Sequence, residues 1–244
     1  MKFRPLLRPF RWLWRAFRVL VVLAGIAAVA LAASLFTGLP YRAYRHMASL
    51  PPGIPEAPAE QPPTHIFLPS GGGIPSESGL MRTYAAAAQA TAFPDARLLL
   101  AVPGESDARA YIAELALRGV SPDRITLLPG INTRTQVRSI LEALPPRTPG
   151  APLPVVLVVT SPEHIRRTAA TLHRIAPRLP VRAAPAWAES LSHGTPDYVS
   201  PVAAAAAGLP PHAIRYSCWN NLRYLSDAAR ETLALAWYGL LRWA

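Results

Sequence analysis

Residues 155–167 of this 244-residue chain read VVLVVTSPEHIRR. Five consecutive β-favouring residues without a polar break predict a strand that is buried on both faces, as in a parallel sheet. A helix that begins at Pro162 would place His164 and Arg167 on one face of its first turn. A buried strand followed directly by a helix is the repeating unit of an α/β fold.

The same pattern of a strand followed by a helix recurs along the chain before and after this stretch. Five strands are predicted in all, at residues 66–68, 98–102, 125–128, 155–159 and 179–184. Right-handed crossovers predict a Rossmann-like, doubly wound parallel sheet in the order 3-2-1-4-5, with ligands at the carboxyl ends of the strands. After a loop-like stretch at 185–211, spacings of three and four predict a C-terminal amphipathic helix through Leu222, Leu225, Ala229, Leu233, Trp237 and Leu240.

Residues 19–39 form an uncharged apolar run, VLVVLAGIAAVALAASLFTGL. In a helix it is long enough to cross a hydrocarbon core about 30 Å thick. Six basic residues precede it and two follow, so we expect residues 1–18 in the cytoplasm and one pass through the inner (plasma) membrane. The alternative is a cleaved signal peptide with a site at Ala30-Leu31-Ala32. Either way, the following domain is expected to be periplasmic or otherwise extracytoplasmic.

Composition divides the remainder into a linker and one domain. Residues 40–63 are rich in proline and predict a semi-rigid spacer, which leaves 64–244 as a single α/β domain with its own core. The net charge is +11, but eight basic residues and no acidic ones lie in the first fifty positions. The outer domain is left at about +3, which argues against nucleic-acid binding. Cys218 is the only cysteine, so no intrachain disulfide can form.

Polar residues follow four of the predicted strands, and the topology brings them to one edge of the sheet. We therefore predict a site there. The candidates for substrate binding are Ser70, Gly71, Gly72, Gly73, Asn132, Thr133, Thr160, Ser161 and Arg167, and the candidates for catalysis are His164 and Glu105.

Each of these candidates also has a purely structural interpretation. Triple glycine suits a tight turn and lacks the spacing of a dinucleotide or P-loop motif, although a helix starting near Ser76 or Ser78 would favour an anion. Glu105 is typical of a first helical turn, and Asn132 or Thr133 of an N-cap. No metal-ligand spacing joins His164, His173 and His193, and no GxSxG motif is present. The sequence specifies no cofactor.

The motifs together resemble the YdcF/SanA/ElyC-like envelope proteins, a bacterial family associated with vancomycin exclusion. The resemblance covers about residues 64–184. It is carried by Gly71-Gly72-Gly73, by Gly119-Val120-Ser121-Pro122, by Asn132-Thr133 and, most specifically, by Val159-Thr160-Ser161 with His164 and Arg167. Thr135, Gln136 and Glu163 depart from the family pattern, and the second loop lacks its second glycine.

The resemblance implies a membrane-tethered Rossmann-like domain with a role in lipid-carrier or peptidoglycan metabolism, and it implies no particular reaction. Our first hypothesis is that the domain binds or processes a phosphorylated cell-envelope precursor. Gly71 to Gly73, Thr160 and Ser161 would hold the anion, Arg167 would neutralise it, and His164 would transfer a proton. The alternative is a non-catalytic envelope scaffold that acts through protein partners. A nucleotide-dependent transferase ranks third, because nucleotide cofactors are scarce outside the cytoplasm.

Overall fold

The computed structural model describes residues 7–146, 150–187 and 199–244. Its helices and strands are, in chain order, α1 Leu7–Ser34, α2 Leu39–Met47, β1 His65–Pro69, α3 Glu77–Ala92, β2 Arg97–Val102, α4 Glu105–Leu117, β3 Ile125–Pro129, α5 Thr133–Ala143, β4 Val156–Thr160, α6 Pro162–Ile175, β5 Val181–Pro185, α7 Pro201–Ala206 and α8 Pro211–Leu240.

The five strands form one all-parallel sheet in the order β3-β2-β1-β4-β5, which confirms the predicted topology. Each predicted strand lies within two residues of the observed one. Strands β1 and β4 are neighbours, and the chain leaves them in opposite directions along the sheet. This is the topological switch point, where α/β proteins of this kind open a crevice at the carboxyl ends of the strands.

Alternate strand residues supply two cores, one on each face of the sheet. Ile66 and Leu68 face α3 and α4, whereas Phe67 between them faces α5 and α6. The strand interiors are apolar on both faces because helices cover both of them. The fold is therefore doubly wound, as the sequence predicts.

The proline-rich segment, which the sequence predicts to be a semi-rigid spacer, packs against the domain. Its first part is helical, in α2, and Leu50 and Ile54 lie against the core beneath β5. The amide of Ala57 donates to the Val181 carbonyl at 3.2 Å, and the Val181 amide donates to Pro55 at 2.9 Å. Strand β5 is an edge strand, so its free backbone groups accept an extended, proline-rich partner on that side.

The described residues divide into two compact units. The first contains described residues 7–42 and 199–224, and the second contains residues 43–187, with a gap at 147–149, and residues 225–244. In the first, Asn221 Nδ2 donates to the carbonyls of Leu35 at 2.6 Å and Thr37 at 2.9 Å. Helix α7 falls within the loop-like stretch at 185–211, where the sequence also allows a short helical turn at Ala203–Ala207.

Helix α1 contains a stretch, Trp12–Ser34, that is long and apolar enough to cross a membrane. The helix ends five residues before the predicted boundary at 39. The hydroxyl of Ser34 donates to the Leu31 carbonyl at 2.6 Å, and that of Thr37 donates to Ser34 at 2.7 Å. These local bonds, with Gly38 and Pro40 just beyond, end α1 and begin α2.

Helix α8 confirms the predicted C-terminal helix but presents an unexpected face to the core. Ala228, Glu231 and Tyr238 are buried in the second unit. The apolar stripe that led to the prediction is largely solvent-exposed: Leu233 is 72% exposed and Leu240 is 78% exposed. The helix therefore buries a carboxylate and a tyrosine while Leu233, Trp237 and Leu240 point outward.

Candidate active site

A cavity of about 440 Å³ opens at the carboxyl edge of the sheet, at the switch point, and lies within the second unit. Residues from the loops after β1, β2 and β3, from the end of β4 and from α3, α4, α5 and α6 line it. Nine of the predicted site residues are among them: Ser70, Gly71, Gly72, Gly73, Asn132, Thr133, Thr160, His164 and Arg167.

Arg82 of α3 is the main feature of this cavity that the sequence did not reveal. Its side chain is 2% exposed and lies against Gly71. Nε donates to Ser161 Oγ at 2.8 Å, and Nη1 donates to the Pro69 carbonyl at 3.0 Å. No carboxylate of the described residues forms a salt bridge with it, and Nη2 is buried without a hydrogen-bond partner. Burial lowers the Arg82 pKa to about 10, against the opposing charge of Glu163, so the side chain stays cationic at neutral pH.

Thr160, the last residue of β4, presents a second unsatisfied group to the same cavity. The residue is fully buried, and within the described ranges its hydroxyl Oγ1 has no hydrogen-bond partner. Buried polar atoms are normally paired, because an unpaired one costs about 1–3 kcal/mol. One unpartnered nitrogen of a cation and one unpartnered hydroxyl at the same cavity are suited to an oxyanion, which accepts hydrogen bonds from both.

Gly71 makes the position of Arg82 possible. A Cβ at residue 71 would lie 1.9 to 2.2 Å from the guanidinium atoms of Arg82. The glycine is therefore required for close approach rather than for a turn alone. The loop is fixed from the other side by the buried Tyr111, whose hydroxyl donates to the Gly72 carbonyl.

Ser161 does not line the cavity. Its hydroxyl accepts from Arg82 and lies 3.0 Å from Ser78 Oγ. Ser161, which we predicted to bind the anion directly, therefore lies behind Arg82 and orients its side chain.

On the opposite wall, Arg167 is fully engaged with the protein. Its Nε donates to Glu231 Oε2 at 2.8 Å, and Nη1 donates to Thr133 Oγ1 at 3.1 Å. The guanidinium also lies over the ring of Tyr238, 5.3 Å from its centroid. Glu231, 1% exposed, comes from the inward face of α8. We predicted that Arg167 neutralises a bound anion. In the structure, the carboxylate of Glu231 already neutralises the charge of Arg167.

His164 is placed between these groups. Its Nδ1 lies 2.8 Å from Arg167 Nη2 and 3.1 Å from Glu231 Oε1. A protonated Nδ1 donates to Glu231 and leaves Nε2 as a base, whereas an unprotonated Nδ1 accepts from Arg167 and leaves a proton on Nε2. Burial lowers the His164 pKa below its ordinary 6.5, partly opposed by the hydrogen bond to Glu231. The ring is therefore neutral at pH 7.

Glu231 is ionised despite its burial. Desolvation raises its pKa, but the hydrogen bond with His164 and the positive charge of Arg167 outweigh it and bring the pKa down to about 2. A buried carboxylate of this kind needs its partners, because removing one leaves an uncompensated charge.

The loop after β3 serves local structure more than ligand binding. Asn132 caps α5: its Oδ1 accepts from the Thr135 amide at 3.0 Å, in a capping box with that threonine. Gln136 Nε2 lies within 3.4 Å of four acceptors, which include both oxygens of Ser70. The N-cap interpretation of Asn132 is confirmed, although the residue also lines the cavity.

Glu105, the second catalytic candidate, is exposed at the start of α4 and does not line the cavity. Asp107, two residues later, does. At the first turn of a helix these positions point in different directions, and the sequence gives no means to choose between them. Of these two acids in the first turn of α4, Asp107 is therefore the one that reaches the cavity.

Arg82 and Glu231 were missed for different reasons. Arg82 is a lone cation within LMRTYAAAAQA, a helix otherwise made of small and apolar residues, and that isolation is a signal. Glu231 gives no such signal. The apolar stripe of α8 predicts that its leucine-bearing face is buried, whereas the structure buries the face that carries Glu231. Within the described ranges no group of three or more His, Cys, Asp or Glu side chains is arranged to hold a metal ion, and His193 lies outside those ranges.

Comparisons of the chain with protein-family models, with curated proteins and with solved structures find no match. The resemblance to the YdcF-like envelope proteins therefore stays a prediction from the motifs.

Proposed function

We propose that this protein is anchored by α1 in the inner membrane and that its α/β domain binds a phosphorylated precursor of the cell envelope at the switch-point cavity. In this proposal the N-terminus is cytoplasmic, the domain is extracytoplasmic, and the ligand belongs to lipid-carrier or peptidoglycan metabolism. The observation that carries it is the pair of unpartnered, buried donors, Arg82 Nη2 and Thr160 Oγ1, at one cavity.

The cavity suits the head of such a ligand better than an apolar tail. Its volume of about 440 Å³ matches a small ligand or head group, and charged or polar side chains line much of it. Arg82 supplies a permanent charge in a buried setting, where a phosphate–guanidinium contact is strong. A long hydrocarbon chain on the ligand would have to leave the cavity.

A chemical step, in this proposal, would use His164. When Nδ1 donates to Glu231, Nε2 is available to accept a proton, and the lowered pKa keeps the ring neutral for that purpose. Arg167 and Glu231 would then act as positioning residues that set the tautomer of His164.

The alternative is a non-catalytic envelope scaffold. One observation favours it. Arg167 and Glu231 form a salt bridge with each other rather than with a ligand, and this salt bridge stabilises the packing of α8. The two proposals differ in whether the cavity must bind an anion.

The decisive experiment measures anion binding by the full chain in detergent micelles. Thermal midpoints are recorded with increasing inorganic phosphate, N-acetylglucosamine 1-phosphate and a short isoprenoid phosphate. A ligand at a hundred times its Kd stabilises the native state by about 2.7 kcal/mol. We expect at least one phosphorylated compound to raise the midpoint of the wild type and to have no effect on Arg82→Met.

The matched control is Arg97→Met, which removes the same charge from an exposed residue at the opposite edge of the sheet. It should respond to phosphate as the wild type does. If no phosphorylated compound stabilises the wild type, or if Arg82→Met responds equally, the proposal of an anion site is wrong and the scaffold is favoured.

A further inference from the structure

The outward face of the C-terminal part of α8 is an apolar surface. Leu233, Trp237 and Leu240 are 72%, 59% and 78% exposed, and their spacing of four and three places them on one side. We call these three residues the α8 stripe. The opposite side of the same helix holds Ala228, Glu231 and Tyr238 against the domain.

The α8 stripe is not needed for the fold. The helix is held on the domain by the salt bridge of Glu231 with Arg167 and by the buried Tyr238, whose ring lies beneath the same arginine at 5.3 Å. Three large apolar side chains kept in water on one face forgo the stabilisation that burial would provide. A contiguous exposed patch of this kind marks a surface that meets an apolar partner.

Arginines surround the end of the helix that carries the stripe. Arg242 follows the helix, Arg174 donates from Nε to the Arg242 carbonyl at 3.5 Å, and Arg134 lies over the ring of Trp243 at 4.7 Å. Arg174 and Arg242 are exposed, and no described carboxylate forms a salt bridge with any of these three arginines. Leucine and tryptophan beside unpaired arginine is the composition of a helix that lies at a membrane surface with anionic headgroups.

The length of the chain keeps this unit near a bilayer if α1 spans one. Ala43, the first residue of the unit, follows Ser34, the last residue of the apolar stretch, by nine positions. Nine residues extend over at most about 30 Å. We propose that the α8 stripe lies in the surface of the membrane that α1 crosses, with Trp237 and Leu240 in the headgroup–acyl boundary and the arginines on lipid phosphates. This inference rests on the anchor of the proposed function and not on the anion site.

The test uses the full chain in nanodiscs of phosphatidylethanolamine and phosphatidylglycerol. Cys218→Ser removes the only native thiol, and nitroxide labels are placed one at a time at Leu240→Cys, Leu23→Cys and Leu117→Cys. Leu117, 83% exposed at the end of α4, is the matched control, because it is an exposed leucine whose neighbouring Arg118 already forms a salt bridge with Glu114. Collision rates are measured with oxygen, which concentrates in lipid, and with a water-soluble nickel chelate.

We expect the label at 240 to collide more with oxygen and less with the nickel chelate than the label at 117. Equal rates at 240 and 117 would overturn the proposal. Protection of the label at 240 from both reagents would also overturn it, and would show a protein partner or a second copy on the stripe. The label at 23 separates the causes: if it is not in lipid, the anchor itself fails, whereas the anion site is tested independently by phosphate.

Discussion

The two walls of the cavity hold one arginine each, Arg82 fully buried and Arg167 half-buried, and the protein surrounds the two in opposite ways. Arg167, from α6, meets a buried carboxylate, a threonine, a histidine and an aromatic ring. Arg82, from α3, meets one serine, one carbonyl and the bare backbone of Gly71, and keeps one nitrogen without a partner. The protein provides partners for all the side-chain nitrogens of Arg167, but only for two of the three of Arg82.

The difference separates stability from binding. A buried ion pair is strongly disrupted when one member is removed, because the other is left charged and unpaired. A buried cation without a carboxylate partner already costs free energy in the folded state, and proteins keep such groups where function needs them. Arg167 therefore stabilises the fold, and Arg82 is the residue to associate with a ligand.

The largest expected effect is the contrast in stability between the same substitution on the two walls. Arg167→Met leaves Glu231 buried without its closest cation and should lower the free energy of unfolding by about 3–5 kcal/mol. Arg82→Met should change it by no more than about 1 kcal/mol, because the relief of a buried charge without a carboxylate partner offsets the loss of its hydrogen bonds to Ser161 and Pro69. Circular dichroism of the full chains in micelles, followed during denaturation, measures both. Equal losses would mean that Arg82 is as structural as Arg167.

Acid provides a second way to separate the walls. The Glu231 pKa is about 2 in the folded protein and 4.5 without its partners, so the unfolded chain binds the extra proton between these values. The wild type should therefore lose about 3 kcal/mol of stability as the pH falls from about 5 towards 2. His164, whose pKa is also lowered, adds a loss that begins below its ordinary 6.5.

The variant Glu231→Gln identifies the source of the acid effect. It should be less stable than the wild type at pH 7 and should lack the loss between about pH 5 and 2, while Arg82→Met keeps it. Thermal midpoints from pH 3 to 8 measure the three profiles. An unchanged slope in Glu231→Gln would place the acid sensitivity elsewhere.

The sequence predicted the sheet well because its signal is local. Five apolar runs, each two residues or less from the observed strand, fix an α/β topology through general rules of handedness. The cavity was also predicted, since the loops after parallel strands must meet at one edge. The partners of Arg167 were not, because Glu231 lies 64 positions away and reaches it only through the face that α8 turns inward. Long-range pairing and helix orientation depend on tertiary packing. The spacing of apolar residues in α8 predicts a helix, but it does not predict which face of that helix is buried.

Gly71→Ala disturbs Arg82 without touching its charge. The added methyl would lie within 2.2 Å of the guanidinium, so the side chain must move or the loop must shift, at a cost of about 1–3 kcal/mol. We expect the stabilisation by phosphate to fall as it does in Arg82→Met. Gly104→Ala is the matched control, since a Cβ there meets nothing within 4 Å. If both alanine variants bind phosphate normally, the guanidinium does not need its observed position.

Thr160→Val tests the other unpartnered group with the smallest change in shape. Valine keeps the volume of threonine and removes a hydroxyl that has no partner among the described residues, so the stability should change by less than about 1 kcal/mol. A hydrogen bond to a charged ligand contributes about 1.5–3 kcal/mol, so phosphate affinity should fall about tenfold or more. Thr171→Val, which removes a hydroxyl bonded to the Arg167 carbonyl at 2.9 Å, should leave phosphate affinity unchanged and lower stability instead. If Thr171→Val lost phosphate binding and Thr160→Val kept it, the anion would lie away from β4. Thr160 would then not bind the anion together with Arg82.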